Sequence, residues 1–331
     1  MKRSKIPAAA AFAAPLVQDD GHSLAPGQMA AANSSRFEAE NFNQEAQDYA
    51  VGFYEEHDLL EIIRGIAPSV PVSRRFSFRK GVNSEFFLSE DDDIRAIGAD
   101  FKRVEYSGTE QESKLQNKGL TIVIDHDEEG NNERTRNMKI RMLISRLLRN
   151  DLRRLIALLE AVKTNTARTW NPAADPLLNP FQHLRADVQS SQTAMGIYPT
   201  RQVWGRTAWN MLQDLVEAHD GAIGKMDVTP ANVAAKLGLD DIIIVDPVFT
   251  TPGGTAKNKI LGNGVFTYYA QQDADIADPS CLKRFVDAEL GDNVRVYVEE
   301  KKKFTVISVE HYNRQLAPNP IGIQKSTTSA S

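Results

Sequence analysis

The feature that most constrains the fold is helical periodicity between about Asn132 and Lys163. Apolar residues recur there at intervals of three and four, which is the spacing of one face of an α-helix. The polar stretch from Asn165 to Asn171 and then Pro172 end this helix, because proline cannot continue it. We therefore predict a single long helix that packs along one side. The apolar positions are Ile140, Ile144, Leu147, Leu148, Leu155, Leu158, Leu159 and Val162.

The opposite face of this helix carries positive charge. At about 100° per residue, Lys139, Arg146, Arg149 and Arg153 fall together there. Such a face is usually solvated, or paired with acidic groups of a neighbouring surface. It could instead meet a polyanion, since phosphate contacts need charge but no sequence code. Glu160 lies on the same side and weakens that second interpretation. The four cations define a candidate inner-surface or inter-subunit basic face.

Composition excludes several classes of protein. The chain has 331 residues, of which 41% are hydrophobic, so it can form two modest domains or one large one. A net charge of −5 argues against a free-standing nucleic-acid binder. The single cysteine, Cys281, excludes an intrachain disulfide. No apolar run approaches the ~20 residues of a membrane span, so we predict no membrane association.

The N-terminal region is predicted to be a flexible arm. Residues 1 to about 45 are rich in Ala, Pro, Gln and Asn and contain few large apolar groups. Lys2, Arg3 and Lys5 precede an alanine run as in a signal peptide, but Pro7 and Pro15 interrupt that run, and an arm is preferred. A helix is expected over 43–64.

The segment from about 73 to 124 contains too little apolar mass for a core of its own. Its strand-like runs are Arg75–Arg79, Phe101–Tyr106 and Leu120–Ile124, and the acidic run Glu90–Asp93 lies among the turns between them. It is also too long for an ordinary loop. We therefore expect this segment to lie against another part of the structure.

An α/β pattern follows the long helix. Asn179 and Pro180 open a helix that Gly196 ends, and Thr229 and Pro230 open another that Gly238 ends. The last six residues read as a solvated tail. The predicted strands are Gln202–Trp204, Ile242–Val245, Val265–Tyr269, Val294–Val298 and Phe304–Tyr312.

The sequence contains no motif that carries catalytic or metal chemistry. Asp125, Asp127, Glu129 and Gly130 imitate the start of a calcium-binding loop, but its twelfth position falls on Arg136. The glycine-rich stretch 253–257 lacks Walker A spacing and reads as a mobile loop. Neither a nucleophile elbow nor a His-Glu-x-x-His zinc pair is present.

Isolated reactive residues do not form a site either. The six histidines are scattered without ligand spacing. Lys283 and Arg284 could lower the pKa of nearby Cys281, which makes this thiol a weak nucleophile candidate. We predict no catalytic, cofactor-binding or metal-binding residues.

Taken in order, these parts resemble the major capsid protein of tailed bacteriophages, whose fold is named after phage Hong Kong 97 and is shared with encapsulins. Thr166–Pro172 is similar to the exit from the long helix in many coat proteins. Gly196–Gly205 resembles the opening of the family's axial domain, and Thr229–Asp240 is also typical. The long segment without a core resembles the family's extended loop, which lies over a neighbouring subunit.

The resemblance implies an α+β capsid fold with a defined order of segments. A flexible N-terminal arm covers 1–72, and an extended β-hairpin loop covers 73–124. A peripheral domain with the long spine helix covers 125–178, and an axial α/β domain covers 179–285. Strands returning to the peripheral domain and a C-terminal tail cover 286–331.

The resemblance also implies a structural role and not an enzyme. Subunits of the family form hexamers and pentamers that tile an icosahedral shell around double-stranded DNA. A scaffolding protein, a portal and a maturation protease would be partners. The protein would reside in the virion, and in the bacterial host cytoplasm during assembly. Two alternatives stay open: an encapsulin-like compartment shell, and a soluble cytoplasmic α/β enzyme with an unrecognised site.

Overall fold

The computed structural model describes residues 42–80, 109–127, 132–162, 165–171, 178–218, 227–251 and 253–329, and the backbone of two short paired strands, β1 (Leu16–Val17) and β2 (Ser23–Leu24). Two five-stranded sheets and six α-helices dominate this part of the chain. The helices are α1 (Gln44–Glu55), α2 (Asp58–Ile66), α3 (Glu133–Glu160), α4 (Pro180–Met195), α5 (Arg206–Glu217) and α6 (Pro230–Leu237).

The remaining strands follow in chain order. Those before α4 are β3 (Ser69–Val72), β4 (Arg75–Lys80), β5 (Thr109–Lys114), β6 (Gln116–Asp125) and β7 (Asn165–Thr169). Those up to residue 268 are β8 (Arg201–Gly205), β9 (Asp241–Val245), β10 (Val248–Phe249), β11 (Asn258–Lys259) and β12 (Gly264–Tyr268). The last four are β13 (Lys283–Asp287), β14 (Arg295–Glu300), β15 (Phe304–Leu316) and β16 (Gln324–Ser329).

The predicted long helix is confirmed as α3, whose N-cap Asn132 accepts a hydrogen bond from the backbone N–H of Thr135 at 2.8 Å. It packs on the first sheet, in which the 13-residue strand β15 pairs with β6, β14 and β13, while β13 pairs with β3. Leu158 and Val162 are only half-buried and lie at the margin of the core. The fully buried positions include six of the predicted ones and also Leu143, Asp151, Leu152 and Ile156.

Asp151 is a charged residue on the apolar face of α3, and it is completely buried. Its carboxylate accepts hydrogen bonds from Lys118 Nζ of β6 at 2.8 Å and from Asn313 Nδ2 of β15 at 2.6 Å. Arg154, one turn along the helix, donates to the same group at 2.9 Å. A buried carboxylate is tolerated only when it is paired and hydrogen-bonded in this way. The cluster therefore fixes the position of α3 on β6 and β15.

His311 of β15 lies 3.4 Å from the Asp151 carboxylate and is also buried. Burial lowers the pKa of His311 from 6.5 to about 4, although Asp151 acts to raise it. Burial acts to raise the pKa of Asp151, but protonated His311, Lys118 and Arg284 hold it well below its usual range. At neutral pH the cluster therefore contains an ionised Asp151 and a neutral His311.

A second buried ion cluster joins the N-terminal helices to the same sheet. Arg284 of β13 is 1% exposed, pairs with Asp292, and donates hydrogen bonds to Tyr54 Oη at 3.0 Å and Ser69 Oγ at 3.2 Å. Burial acts to raise the pKa of Asp292, but Arg284 and then Arg64 lower it to about 2. Helix α1, strand β3 and strand β13 are thus held at one charged centre.

The single helix expected over 43–64 is wrong, because the chain breaks it at His57. The backbone of His57 is extended, and its Nδ1 accepts the N–H of Leu59 at 3.2 Å, which makes His57 the N-cap of α2. At the other end of α2, Arg201 donates to the carbonyl of Gly65, and Tyr268 donates to that of Ile66 at 2.7 Å. Helices α1 and α2 are therefore part of the main core.

The second sheet has the strand order β7-β16-β12-β8-β9, and the predicted strands near 202, 242 and 265 are confirmed in it. Helix α5 begins directly after β8 at Gly205. A Cβ atom there would lie 1.9 Å from the carbonyl oxygen of Gly262, so only glycine fits. Trp204 and Trp209 pack edge to face with centroids 5.3 Å apart, in a core cluster that also contains residues of α4 and α6.

The expectation of a solvated tail over the last six residues is wrong for 326–329, which belong to the strand at 324–329. This strand, β16, pairs antiparallel with β12 and parallel with β7, and Ser326 and Thr328 are buried. The hydroxyl of Ser326 donates a 2.6 Å hydrogen bond to the buried carboxylate of Asp187, which Arg168 also pairs at 2.6 Å. Polar composition misled the prediction, because these hydroxyls find partners inside the protein.

The segment 73–124 divides into two parts. Strands β4 and β5 form an antiparallel pair, and Phe76 and Phe78 pack on Phe285, with ring centroids 4.5 and 5.9 Å away. Strand β6 continues into the first sheet and pairs with β15 over ten residues, so this part lies against its own chain. Residues 90–93 and the strand expected at 101–106 lie outside the described residues.

The division of the chain into five segments stays a prediction. The sheets nevertheless show that β13, expected at the end of the axial segment, pairs with β15 and β3. They also show that β16, expected to be peripheral, belongs to the sheet of β8 and β12. Each of the two sheets is therefore assembled from distant parts of the chain.

The neutral state of His311 makes stability depend on pH. An unfolded histidine takes up its proton near pH 6.5, whereas folded His311 does so only near pH 4. The unfolded state binds more protons between these values, so the free energy of unfolding should fall by about 3 kcal/mol as pH is lowered from 6.5 to 4. Chemical denaturation across this range should show the decline, and His311→Gln should remove most of it. If the free energy of unfolding fell equally with pH in the unchanged protein and in His311→Gln, His311 would not be the group responsible.

Candidate functional site

The four cations of the candidate basic face lie in different surroundings. Arg146 and Arg153 are exposed, whereas Lys139 and Arg149 are half-buried. Lys139 has an interaction partner of its own. The face is therefore partly covered within the subunit.

Arg153 is held by an aromatic ring of β10, the short strand that follows β9 along the chain. Its guanidinium carbon lies 3.8 Å from the centroid of the Phe249 ring in β10, which is the geometry of a cation–π interaction. Arg141 lies in the same way over Tyr49 and Phe53 of α1, at 5.3 and 5.2 Å. The periodicity argument missed Arg141, because this residue faces α1 and not the predicted row. Planar guanidinium groups stack well on rings, so these arginines fasten α3 to its neighbours.

The charge of Arg149 acts on His57, the residue at the junction between α1 and α2. Burial lowers the pKa of His57, Asp58 acts to raise it, and the charge of Arg149 adds to the lowering. The Nε2 atom of His57 lies 2.9 Å from Ser145 Oγ of α3. Since Nδ1 of His57 accepts the cap hydrogen bond, Nε2 carries the proton and donates to Ser145. Arg149 is thus at the edge of a contact between helices.

The remaining sequence candidates do not form a site with these residues. Asp125 Oδ1 accepts the N–H of Asp127 at 2.9 Å in a local turn, and Glu129 and Gly130 lie outside the described residues. The stretch 253–257 lies between the paired strands β10 and β11, and Gly253 has a positive φ of 74°.

The suggestion that cations lower the pKa of Cys281 is wrong. Burial raises the pKa of this thiol to about 12, and its Sγ packs 3.2 Å from Met195 Sδ. Lys283 points away and donates to the carbonyls of Asp275, Ile276 and Asp278. A buried thiol of this kind is a packing group and not a nucleophile.

The described residues contain no cluster of three or more His, Cys, Asp or Glu side chains that could hold a metal ion. None of their helices is long and apolar enough to cross a lipid bilayer.

The contacts on α3 predict different effects for its two exposed arginines. Arg153→Gln removes the cation–π contact with Phe249, so it should lower the free energy of unfolding by about 1 kcal/mol. Arg146→Gln is the matched control and should change it by less than about 0.5 kcal/mol, the usual range for exposed positions. Urea denaturation followed by tryptophan fluorescence measures both. Equal losses would mean that the ring contact contributes nothing measurable.

Sequence comparisons give no relatives. No family model matches the chain, and no curated protein sequence matches it.

Comparison with solved structures does identify the fold. A phage-related protein from Bordetella bronchiseptica RB50 aligns with a TM-score of 0.58 and 15% identity, covering 86% of this chain and 96% of that chain. A virus-like particle from Pyrococcus furiosus aligns with a TM-score of 0.50 and 12% identity, covering 87% of this chain and 100% of that chain. The capsid of cyanophage P-SCSP1u aligns with a TM-score of 0.50 and 11% identity, covering 81% of this chain and 88% of that chain. The chain therefore has the α+β fold of tailed-phage capsid proteins.

Proposed function

We propose that the protein is the major capsid protein of a tailed phage or prophage, and that it self-assembles as hexamers and pentamers into an icosahedral shell around double-stranded DNA. The observation that carries this proposal is the fold, which is shared with a phage capsid over 81% of the chain. Its role would be structural and not enzymatic.

The β4–β5 pair supports a role in assembly. Its strands are paired over six residues each, and Phe76 and Phe78 of β4 fix the pair to the subunit by packing on Phe285. Isolated two-stranded ribbons are only marginally stable in water, so such a ribbon gains from lying on a neighbouring subunit. Rigid attachment at Phe285 would let the ribbon transmit its position to the core.

The charge distribution is compatible with enclosing DNA without reading its sequence. The chain is acidic overall at −5, and Arg141, Arg153 and Arg154 of α3 are engaged within the subunit. Arg146 is the exposed member of the candidate basic face that is left for such a contact. Contact with packaged DNA through scattered arginines would be weak, non-specific and sensitive to salt.

A shell around a protein cargo is the second candidate, as in an encapsulin-like compartment. The observation in its favour is the likeness to a virus-like particle from Pyrococcus furiosus, at the same TM-score of 0.50 as the cyanophage capsid. A soluble α/β enzyme is the third candidate, and no catalytic cluster among the described residues favours it.

Further partners belong to the same proposal. A scaffolding protein, a portal and possible cleavage by a maturation protease would accompany assembly in the host cytoplasm, and the finished subunit would reside in the virion. An intact subunit mass from mature particles would reveal whether the arm is cleaved.

Assembly is the primary test of the proposed function. The purified protein, co-expressed with its scaffold where one is encoded nearby, should form megadalton particles or capsomer rings in electron micrographs. If the protein stayed monomeric under all assembly conditions, that result would contradict the shell role. Particles that contain protein cargo and no DNA would favour the compartment over the capsid.

A second test separates DNA contact from subunit contact. If Arg146 faces packaged DNA, Arg146→Glu should reduce the DNA content of particles while leaving their number and size unchanged. Arg153→Glu, which disrupts the contact with Phe249, should reduce the number of particles instead. Equal loss of particles and DNA in Arg146→Glu would place this residue at a subunit contact.

A further inference from the structure

A cleft of about 1040 Å³ lies between helix α2 and strand β9. One wall contains Glu61, Ile62 and Gly65 of α2, and five consecutive residues of the other wall, 240–244, belong to β9 or directly precede it. The volume is that of a large ligand site or of a short peptide segment.

Strand β9 presents an unpaired edge to this cleft. It is the last strand of the second sheet among the described residues, with β8 on its other side. Asp241 donates its N–H toward β8, to the carbonyl of Thr200 at 3.2 Å. Along a strand, the backbone groups of successive residues point alternately to its two edges. The N–H and C=O groups of Ile242 and Ile244 therefore point to the free edge of β9. Such an edge is a template for one further strand.

The mouth of the cleft is strongly acidic. Five carboxylates line it, and none of them has an ion-pair partner among the described residues: Glu55, Glu56, Glu61, Asp240 and Asp241. The two guanidinium groups in the lining are engaged elsewhere, Arg64 with Asp292 at 2.9 Å and Arg201 with the carbonyl of Gly65. The cleft therefore favours a cationic occupant with free backbone hydrogen-bonding groups.

We propose that this cleft binds the chain's own N-terminal segment, residues 1–6, as an added strand along β9. That segment lies outside the described residues and carries Lys2, Arg3 and Lys5, followed by Ile6. In an extended strand Arg3 and Lys5 share one face. The segment thus offers positive charge to the carboxylates of the cleft, and a backbone that can pair with the free edge of β9.

The connection favours the segment of the same subunit over that of another copy. The described chain resumes at Phe42, which bridges to Tyr297 of β14, and Gln47 of α1 bonds to Val294 beside it. Thirty-five residues separate Ile6 from Phe42, which can span up to about 120 Å. A tethered segment also has a higher effective concentration than a separate molecule. The inference does not depend on shell formation and can be tested on unassembled protein.

Disulfide trapping in the full-length chain tests the docking. The pair Ile6→Cys and Asp241→Cys should form an intrachain disulfide at least about tenfold faster than the control pair Ile6→Cys and Asp214→Cys, whose second site is exposed on α5. The buried Cys281 should not compete. Adding Lys2→Glu, Arg3→Glu and Lys5→Glu should slow trapping about tenfold. Equal rates in the two pairs, or disulfides only between two chains, would overturn the proposal.

A second measurement avoids new cysteines. Docking should protect the bond after Arg3 from trypsin, because a paired strand must detach before cleavage. Replacing the exposed Glu55, Glu56 and Glu61 by lysine should accelerate this cleavage about tenfold while the tryptophan fluorescence of the folded protein is retained. The same replacements at exposed Glu160, Asp214 and Glu217 serve as the control. Equal cleavage rates in the two triple variants would also reject the docked segment.

Discussion

The buried carboxylate of Asp151 is the point on which the arrangement of the first sheet depends. It lies on the apolar face of α3, and its partners come from β6 and β15, which are separated by nearly two hundred residues. Apolar packing alone would allow α3 to slide or rotate on the sheet, since hydrophobic contact has no direction. Hydrogen bonds from Lys118 and Asn313 define one position. Removing Lys118 would take away a buried countercharge, and removing Asn313 would take away a hydrogen bond to the buried carboxylate, so alternative packings are strongly disfavoured.

The N-terminal helices are held by a different set of interactions. Arg284 ties α1 and β3 to β13, His57 donates to α3, and Arg201 and Tyr268 hold the end of α2 on the second sheet. Helix α2 is therefore in contact with both α3 and the second sheet. This explains why a segment that the sequence placed in an arm is part of the core, and why a cleft forms beside β9.

Parts of the fold that depend on periodicity were predictable, and parts that depend on partners were not. The apolar spacing from Ile140 to Leu159 identified α3, and capping residues such as Asn179 and Thr229 located the starts of two helices. Strand β16 was missed, because its serines and threonines are polar and reveal nothing of the partners that bury them. Asp151 left a signal that could have been used, since it interrupts the apolar stripe. The aromatic contacts of Arg141 and Arg153 left no signal in the sequence, because they depend on the positions of α1 and β10.

The position of β16 has a consequence for the order of folding. Strand β7 pairs only with β16 in the described sheet, and Thr327 bonds to Asn165, which precedes it by 162 residues. On the ribosome β7 must therefore remain without its partner until nearly all of the other described elements have been made. Contacts of such long sequence separation form slowly, because the intervening chain has to be ordered first. Completion of this sheet would consequently be a late event in the folding of the subunit.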